Sequence, residues 1–393
     1  MEFAFTEEQI MIRDTAEAFL AEVSDSAAVR EAMASDQGYD QALWSRICEE
    51  MFWQAIHLPE SCGGMGLGYV ELVAVLEQMG KSLFCSPFFA TVCQAANAIL
   101  IAGNEQQKQH YLAEIIAGKT ATLAYTNSLC WDVSAVDASY EKTAEGYVLN
   151  GSYRYVIDGH TANYIVVAAT KAGGDAQTDM ALFIIESAQA GLEREWLPTL
   201  DQTRKQAAVR LNNVRLTTDS LLTESAATKL QQIIDLATIA LAAEQMGGSQ
   251  QVLDMAVEYT KEREQFGRKI ASFQAIKHKA ADMMCRAEVA RSSVYYAACI
   301  ADEMLTGGSL AGELTEAASI AKAYCSESYF KNAGECIQMF GGVGFTWEYD
   351  PHLYFKRAKA SEHLLGNPSF HREKLAKLLL DDNSSSLELG VAS

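Results

Sequence analysis

Two segments of the C-terminal half decide the reading: Arg263-Glu264-Gln265-Phe266-Gly267 and Gln338-Met339-Phe340-Gly341-Gly342-Val343-Gly344. Each stands at the end of a long stretch with helical periodicity. Residues 227–262, 274–306 and 314–339 carry apolar positions three and four apart, long enough to pack as a bundle. Working back toward the N-terminus, the period changes. Runs at 120–125, 146–149, 153–157, 164–169, 180–185 and 207–211 are short and rich in β-branched and aromatic residues. Glu145-Gly146, Asn150-Gly151, Asp158-Gly159 and Asn212-Asn213 punctuate them, which predicts a compact antiparallel β domain.

Residues 1–120 are again helical in pattern. Thr6-Glu7-Glu8-Gln9 has the spacing of a capping box. Leu58-Pro59-Glu60-Ser61-Cys62-Gly63-Gly64-Met65-Gly66-Leu67-Gly68 is a loop by its glycines and proline. The expected plan is α+β: an N-terminal helical domain (1–120), a β domain (121–225), a C-terminal four-helix bundle (226–380) and a flexible polar tail (381–393). The order excludes an alternating βαβ dinucleotide fold.

Composition bounds the function. The 393 residues carry a net charge of −20, which argues against nucleic-acid and anionic-membrane partners. An anionic ligand would need locally placed Arg and Lys. The nine cysteines show no metal-ligand spacing, and the expectation is reduced thiols in a cytoplasmic protein. No apolar run is long enough for a membrane span, and the acidic N-terminus lacks the basic region of a signal peptide.

The two opening segments resemble the acyl-CoA dehydrogenase family, and the resemblance covers nearly the whole chain. Leu58-Pro59-Glu60 with Gly63, Gly64 and Gly66 is similar to the family's N-domain loop. Gly103-Asn104-Glu105-Gln106 followed by Tyr111-Leu112 is similar to its run into the β domain. Within the family the chain looks most like the subgroup that includes heteromeric steroid side-chain enzymes. The resemblance implies FAD as cofactor and α,β-dehydrogenation of an acyl-CoA thioester. It implies Arg263, Phe266, Gln338, Gly341 and Gly342 as the group that reaches across a subunit interface to the ADP half of FAD. An Arg and open backbone N–H groups suit a pyrophosphate. Further implied partners are an acyl-CoA substrate and an electron-transfer flavoprotein or similar acceptor. A homo- or hetero-oligomer, dimer or tetramer, is implied as well.

Three departures from the family pattern matter. Tyr125-Thr126-Asn127-Ser128-Leu129-Cys130-Trp131-Asp132 replaces a Thr-Glu-Pro-x-x-Gly-Ser-Asp-like segment beside the flavin, keeping Thr126. Tyr153-Arg154-Tyr155-Val156-Ile157-Asp158 replaces Lys-x-Trp-Ile-Thr-Asn, so Tyr155 is left to stack on the ring and Ile157 stands for a Thr. The Tyr-Glu-Gly-Thr carrying the family's base aligns with Leu365-Gly366-Asn367-Pro368, with Gly366 in the base position. The second family position for the base is Ala237, and nearby Asp235 points elsewhere on the helix.

Glu244 is the catalytic candidate in this reading. It lies seven residues after Ala237, on the same helix face and about 10 Å along the axis. The apolar run Ile239–Ala243 beside it would raise its pKa on burial. An interhelical ion pair is the competing role. Glu362 is a further candidate. His160, His278 and His363 carry no required role. Three functions remain open: a self-sufficient dehydrogenase, a non-catalytic partner subunit that completes the FAD site across an interface, and a flavin oxidase on the same fold.

Overall fold

The computed structural model describes residues 5–380; the tail at 381–393 lies outside the described residues. The N-terminal helices are α1 (Glu7–Val23), α2 (Ser26–Ala34), α3 (Gln41–Arg46), α4 (Tyr69–Lys81), α5 (Asn97–Ala102), α6 (Glu105–Gln107) and α7 (Ala113–Ile116). Thr6 and Gln9 close the predicted capping box on α1. A π-helical stretch, Phe89–Ala96, leads into α5.

The middle of the chain forms β1 (Ala121–Ala124), β2 (Ser139–Thr143), β3 (Gly146–Ile157), β4 (Tyr164–Lys171), β5 (Met180–Glu186), β6 (Leu192–Leu197), β7 (Gln206–Leu216) and β8 (Leu221–Glu224). They make one sheet in the order β6-β7-β3-β2-β4-β5-β8, with β1 beside β4. Two predicted runs are in fact one strand. β3 passes through Asn150-Gly151 and Arg154-Tyr155 on register shifts against β7 rather than turning. The sheet is not wholly antiparallel: β4 pairs parallel with both β1 and β2.

Alternation along the strands sorts the sheet into two faces. Val167, Ala169, Phe183 and Ile185 pack with Tyr153 and Val209 in a core internal to the sheet domain. Leu123, Tyr125, Ile157, Val166 and Leu182 face the helices and share their core. That shared core is where the β domain and the bundle meet.

The C-terminal helices are α8 (Ala227–Glu262), α9 (Gln274–Thr306), α10 (Leu314–Phe340), α11 (Pro351–His363) and α12 (Pro368–Leu380). A ladder of contacts shows α8 and α10 running parallel. Asp235 accepts from Thr315 (2.6 Å), Gln245 donates to Ser326 (3.1 Å), Asn332 donates to Ser249 (2.9 Å), and Tyr259 stacks on Phe340 (ring centroids 4.1 Å apart). Residue numbers advance together in every rung, so both helices end at the same end of the bundle. Where α8 crosses α4 the backbones nearly touch. A Cβ on Gly247 would lie 1.8 Å from the Glu77 carbonyl, and one on Gly80 would lie 2.0 Å from that of Glu244. Glycine there permits helix contact. Among the described residues no helix is long and apolar enough to cross a membrane.

Candidate functional site

The parallel course of α8 and α10 brings the two opening motifs together. After α8 the chain makes a two-residue hairpin, β9 (Glu264–Gln265) and β10 (Arg268–Lys269), turning at Phe266 (φ 56°) and Gly267 (φ 75°). Positive φ at both central residues is the type I′ pattern. Phe266 at the tip is 91% exposed, touching Phe273 edge-on at 6.1 Å between ring centroids. Arg263 caps α8 and is exposed; among the described residues it makes no ion pair. Gln338, Gly341 and Gly342 are exposed at the end of α10. Gly341 has φ 67°, and no atom lies within 4 Å of where a Cβ would stand on Gly341 or Gly342. This is an open arrangement: a guanidinium, a bare peptide turn and an exposed aromatic ring in edge contact with Phe273. Chemically, this donor set suits an anionic group such as a pyrophosphate.

The other half is closed. Thr126 is buried, and its hydroxyl is consumed by its own turn, donating to the Cys130 carbonyl (2.8 Å) and accepting from the Ser128 N–H (3.2 Å). Tyr155 sits at the β3 bulge with φ 60°, half-buried against the shared core. Left-handed backbone at a bulky residue is strained. Ile157 is buried, and its carbonyl accepts from the Thr122 hydroxyl at 2.6 Å.

The apolar surroundings expected of Glu244 are not what its carboxylate meets. Ile239–Ala243 are buried, but the side chain points across the domain junction. There it pairs with Arg204, from the β6–β7 connection, and lies 4.0 Å from Arg357 of α11. Arg204 also lies over the Phe89 ring, 4.6 Å from its centroid. Arg357 bonds Asp201 (2.9 Å), the Thr203 hydroxyl (2.8 Å) and the Thr203 carbonyl (3.0 Å). Burial opposes the Arg357 charge; Asp201 and then Glu244 outweigh it and raise its pKa. Both carboxylates and both guanidiniums are nearly inaccessible, side chains 4–9% exposed. The cavities beside this cluster are small. One of about 20 Å³ is lined by Arg204, Arg357 and Leu364, and one of about 10 Å³ by Glu244, Tyr329 and Ser361. Such volumes hold a water at most.

The other carboxylate candidates are also engaged. Glu362 pairs with Lys359 at 2.8 Å, and buried Asp235 with Lys374 at 3.0 Å. Ala237 is fully buried. His278 is exposed. The alignment of Gly366 with the base position needs correction. Gly366 has φ 101°, and a Cβ there would lie 2.4 Å from the Phe370 ring and 2.9 Å from His371 Nε2. No side chain fits. Only glycine fits, as at the third position of Tyr-Glu-Gly-Thr, and in that register Leu365 falls at the position of the base. Leu365 (φ 59°) is 1% exposed in the shared core.

Sequence reasoning missed Arg204, Arg357, Asp201 and Asp158. Asp158 is buried with φ 53°; burial pushes its carboxyl up to about 7 although Arg204, Arg357 and Lys205 pull it down. The string Asp201-Gln202-Thr203-Arg204-Lys205 looks like a polar loop, and only the fold makes it a buried one.

Comparison with known proteins identifies the family and its fold. Residues 6–119 match the acyl-CoA dehydrogenase N-terminal domain and 228–380 the acyl-CoA dehydrogenase C-terminal domain. The chain is 36% identical over 372 residues to acyl-CoA dehydrogenase IpdE2 of Mycobacterium tuberculosis, covering 95% of this chain and 96% of that one. Among solved structures, butyryl-CoA dehydrogenase of Megasphaera elsdenii superposes with a TM-score of 0.87 at 25% identity, over 97% of this chain and 100% of that one. The ChsE4–ChsE5 complex of Mycobacterium tuberculosis also gives 0.87 at 25% identity, over 96% and 99%. With relatives of 36% and 31% identity along almost their full length, the chain belongs to the acyl-CoA dehydrogenase family, a family of flavoprotein oxidoreductases.

Proposed function

We propose that this chain works in the α,β-dehydrogenation of an acyl-CoA thioester as one subunit of a hetero-oligomer. In this reading it closes the ADP side of FAD for a neighbouring subunit that brings the catalytic carboxylate. FAD, when bound, supplies the hydride acceptor for the β-carbon. Arg263 would pair with the pyrophosphate, and the peptide turn at Gly341-Gly342 would lie against it. Gln338 and Phe266 would flank the adenosine side. Leu365, Glu244 and Ile157 serve packing and ion pairing, with no base among them. An electron-transfer flavoprotein or a similar carrier would take the electrons onward. The location proposed is the cytoplasm, in keeping with nine cysteines of which none is paired.

One contrast carries the reading. The half that would serve a neighbour is open, with Phe266 91% exposed, while Leu365, where a base would stand, is 1% exposed. A base must come within hydrogen-bond reach of the α-carbon. The test is the flavin spectrum and FAD-to-chain ratio of the protein purified alone and after co-expression with a homologous subunit that has the carboxylate. The expected result is a colourless chain alone and half an FAD per chain in the complex, bleached by acyl-CoA. One FAD per chain and bleaching by the chain alone would overturn the proposal and make the chain a self-sufficient dehydrogenase.

A further inference from the structure

Lys322 of α10 is a fully buried cation outside the ion-pair cluster. Its ammonium lies 3.0 Å from the Ser361 carbonyl, 3.1 Å from that of Glu362, 3.0 Å from that of Gly366 and 2.8 Å from the Ser326 hydroxyl. The first two are last-turn carbonyls of α11, which lack helical partners, and the third closes the turn into α12. His371 holds the same turn from its other side. Its Nε2 lies 2.9 Å from the Leu365 carbonyl and its Nδ1 3.3 Å from the Ser319 hydroxyl. A neutral imidazole satisfies both contacts by donating from Nε2 and accepting at Nδ1. Burial and then Lys322 lower His371 to about 3, which keeps it neutral.

The turn between these two clamps contains consecutive left-handed residues, Leu365 and Gly366. Such a backbone persists only where its surroundings over-determine it. Four acceptors compete for three ammonium protons, so each proton is engaged and every acceptor leans on the charge.

We propose that Lys322 is a conformational clamp: its buried ammonium pins the α11–α12 turn in the conformation that seats Leu365 in the shared core. Charged and titratable neighbours are few. Cys325 lies on the same helix. Glu362 faces Lys322 from α11 and is paired with Lys359, and α12 contributes His371 and Lys374, the latter paired with Asp235 of α8. Burial, opposed by Cys325 and Glu362, brings the Lys322 ammonium down to about 7. A neutral amine has two N–H groups, so at least one carbonyl then loses its donor.

The experiment uses the assembled protein. Amide exchange over residues 361–371 is compared with that over 240–250 in the wild type and in Lys322→Met, with Lys322→Gln measured alongside because its two amide N–H groups keep part of the clamp where the Met variant does not fold. Lys322→Met should speed exchange in 361–371 by about tenfold or more and Lys322→Gln by less, both leaving 240–250 unchanged. Turn exchange insensitive to both substitutions overturns the clamp.

Discussion

Replacing Glu244 by Gln separates a base from a latch. As a latch, the carboxylate neutralises Arg204 by direct contact and Arg357 from 4.0 Å. A unit pair at 4 Å with an effective dielectric constant of about 20 is worth roughly 4 kcal/mol. Removing one partner of a buried pair costs about 3–5 kcal/mol, because the remaining charge stays buried without compensation. The amide keeps an oxygen acceptor for Arg204, which places the expected loss for Glu244→Gln near the lower end, about 3 kcal/mol. Arg204→Met should cost a similar amount. The double variant should lose clearly less than the sum, by about 2 kcal/mol, since neither leaves the other's charge stranded. Urea unfolding followed by tryptophan fluorescence reads these differences as midpoint shifts at constant slope. Turnover of the assembled enzyme is measured alongside. A Glu244→Gln protein with the wild-type midpoint and turnover reduced by about 10²–10⁴ would refute the latch and restore Glu244 as the base.

Three further outcomes follow from the same geometry. Phe266→Ser should leave the isolated chain's stability within about 0.5 kcal/mol, because the ring is almost wholly in solvent, yet reduce FAD retention of the complex, as measured by absorbance after gel filtration. Asp158 has a folded value of about 7 against an ordinary 3.8, so the native state binds the extra proton between these values. Its contribution is fully present below pH 3.8 and is lost as pH rises through 7; Asp158→Asn should flatten that part of the stability-against-pH curve. Gly366→Ala should destabilise by about 2 kcal/mol or more, from left-handed backbone and the collision with Phe370, read from the unfolding midpoint; a neutral result would show that the turn can move.

The helix–sheet–helix order was legible because hydrophobic period is a local property. α8, α9 and α10 start where the periodicity places them, and the capping box at Thr6 needed only four residues of chain. The bulges of β3 were not legible. Asn150-Gly151 has the composition of a turn, and only pairing with β7 on a continuous strand makes it a bulge. β2, β6 and β8 were missed for a related reason: β2 and β6 are largely exposed and polar, with little apolar alternation to detect. At the site, Arg263, Phe266 and the glycines after Gln338 could be singled out because each motif is contiguous. That they meet at one end follows from the parallel course of α8 and α10.

Element type, cap and turn chemistry, and motifs written in adjacent residues are local properties and could be read from the chain. Which charges meet depends on the folded arrangement. Glu244 reads as a lone carboxylate in an apolar run, and Arg204 and Arg357 are 40 and 113 residues away. The same is true of Lys322 and the carbonyls it clamps, and of the atoms that forbid a Cβ at Gly366. Burial and Coulomb energy depend on distance in space, and a linear pattern carries that distance only within one element.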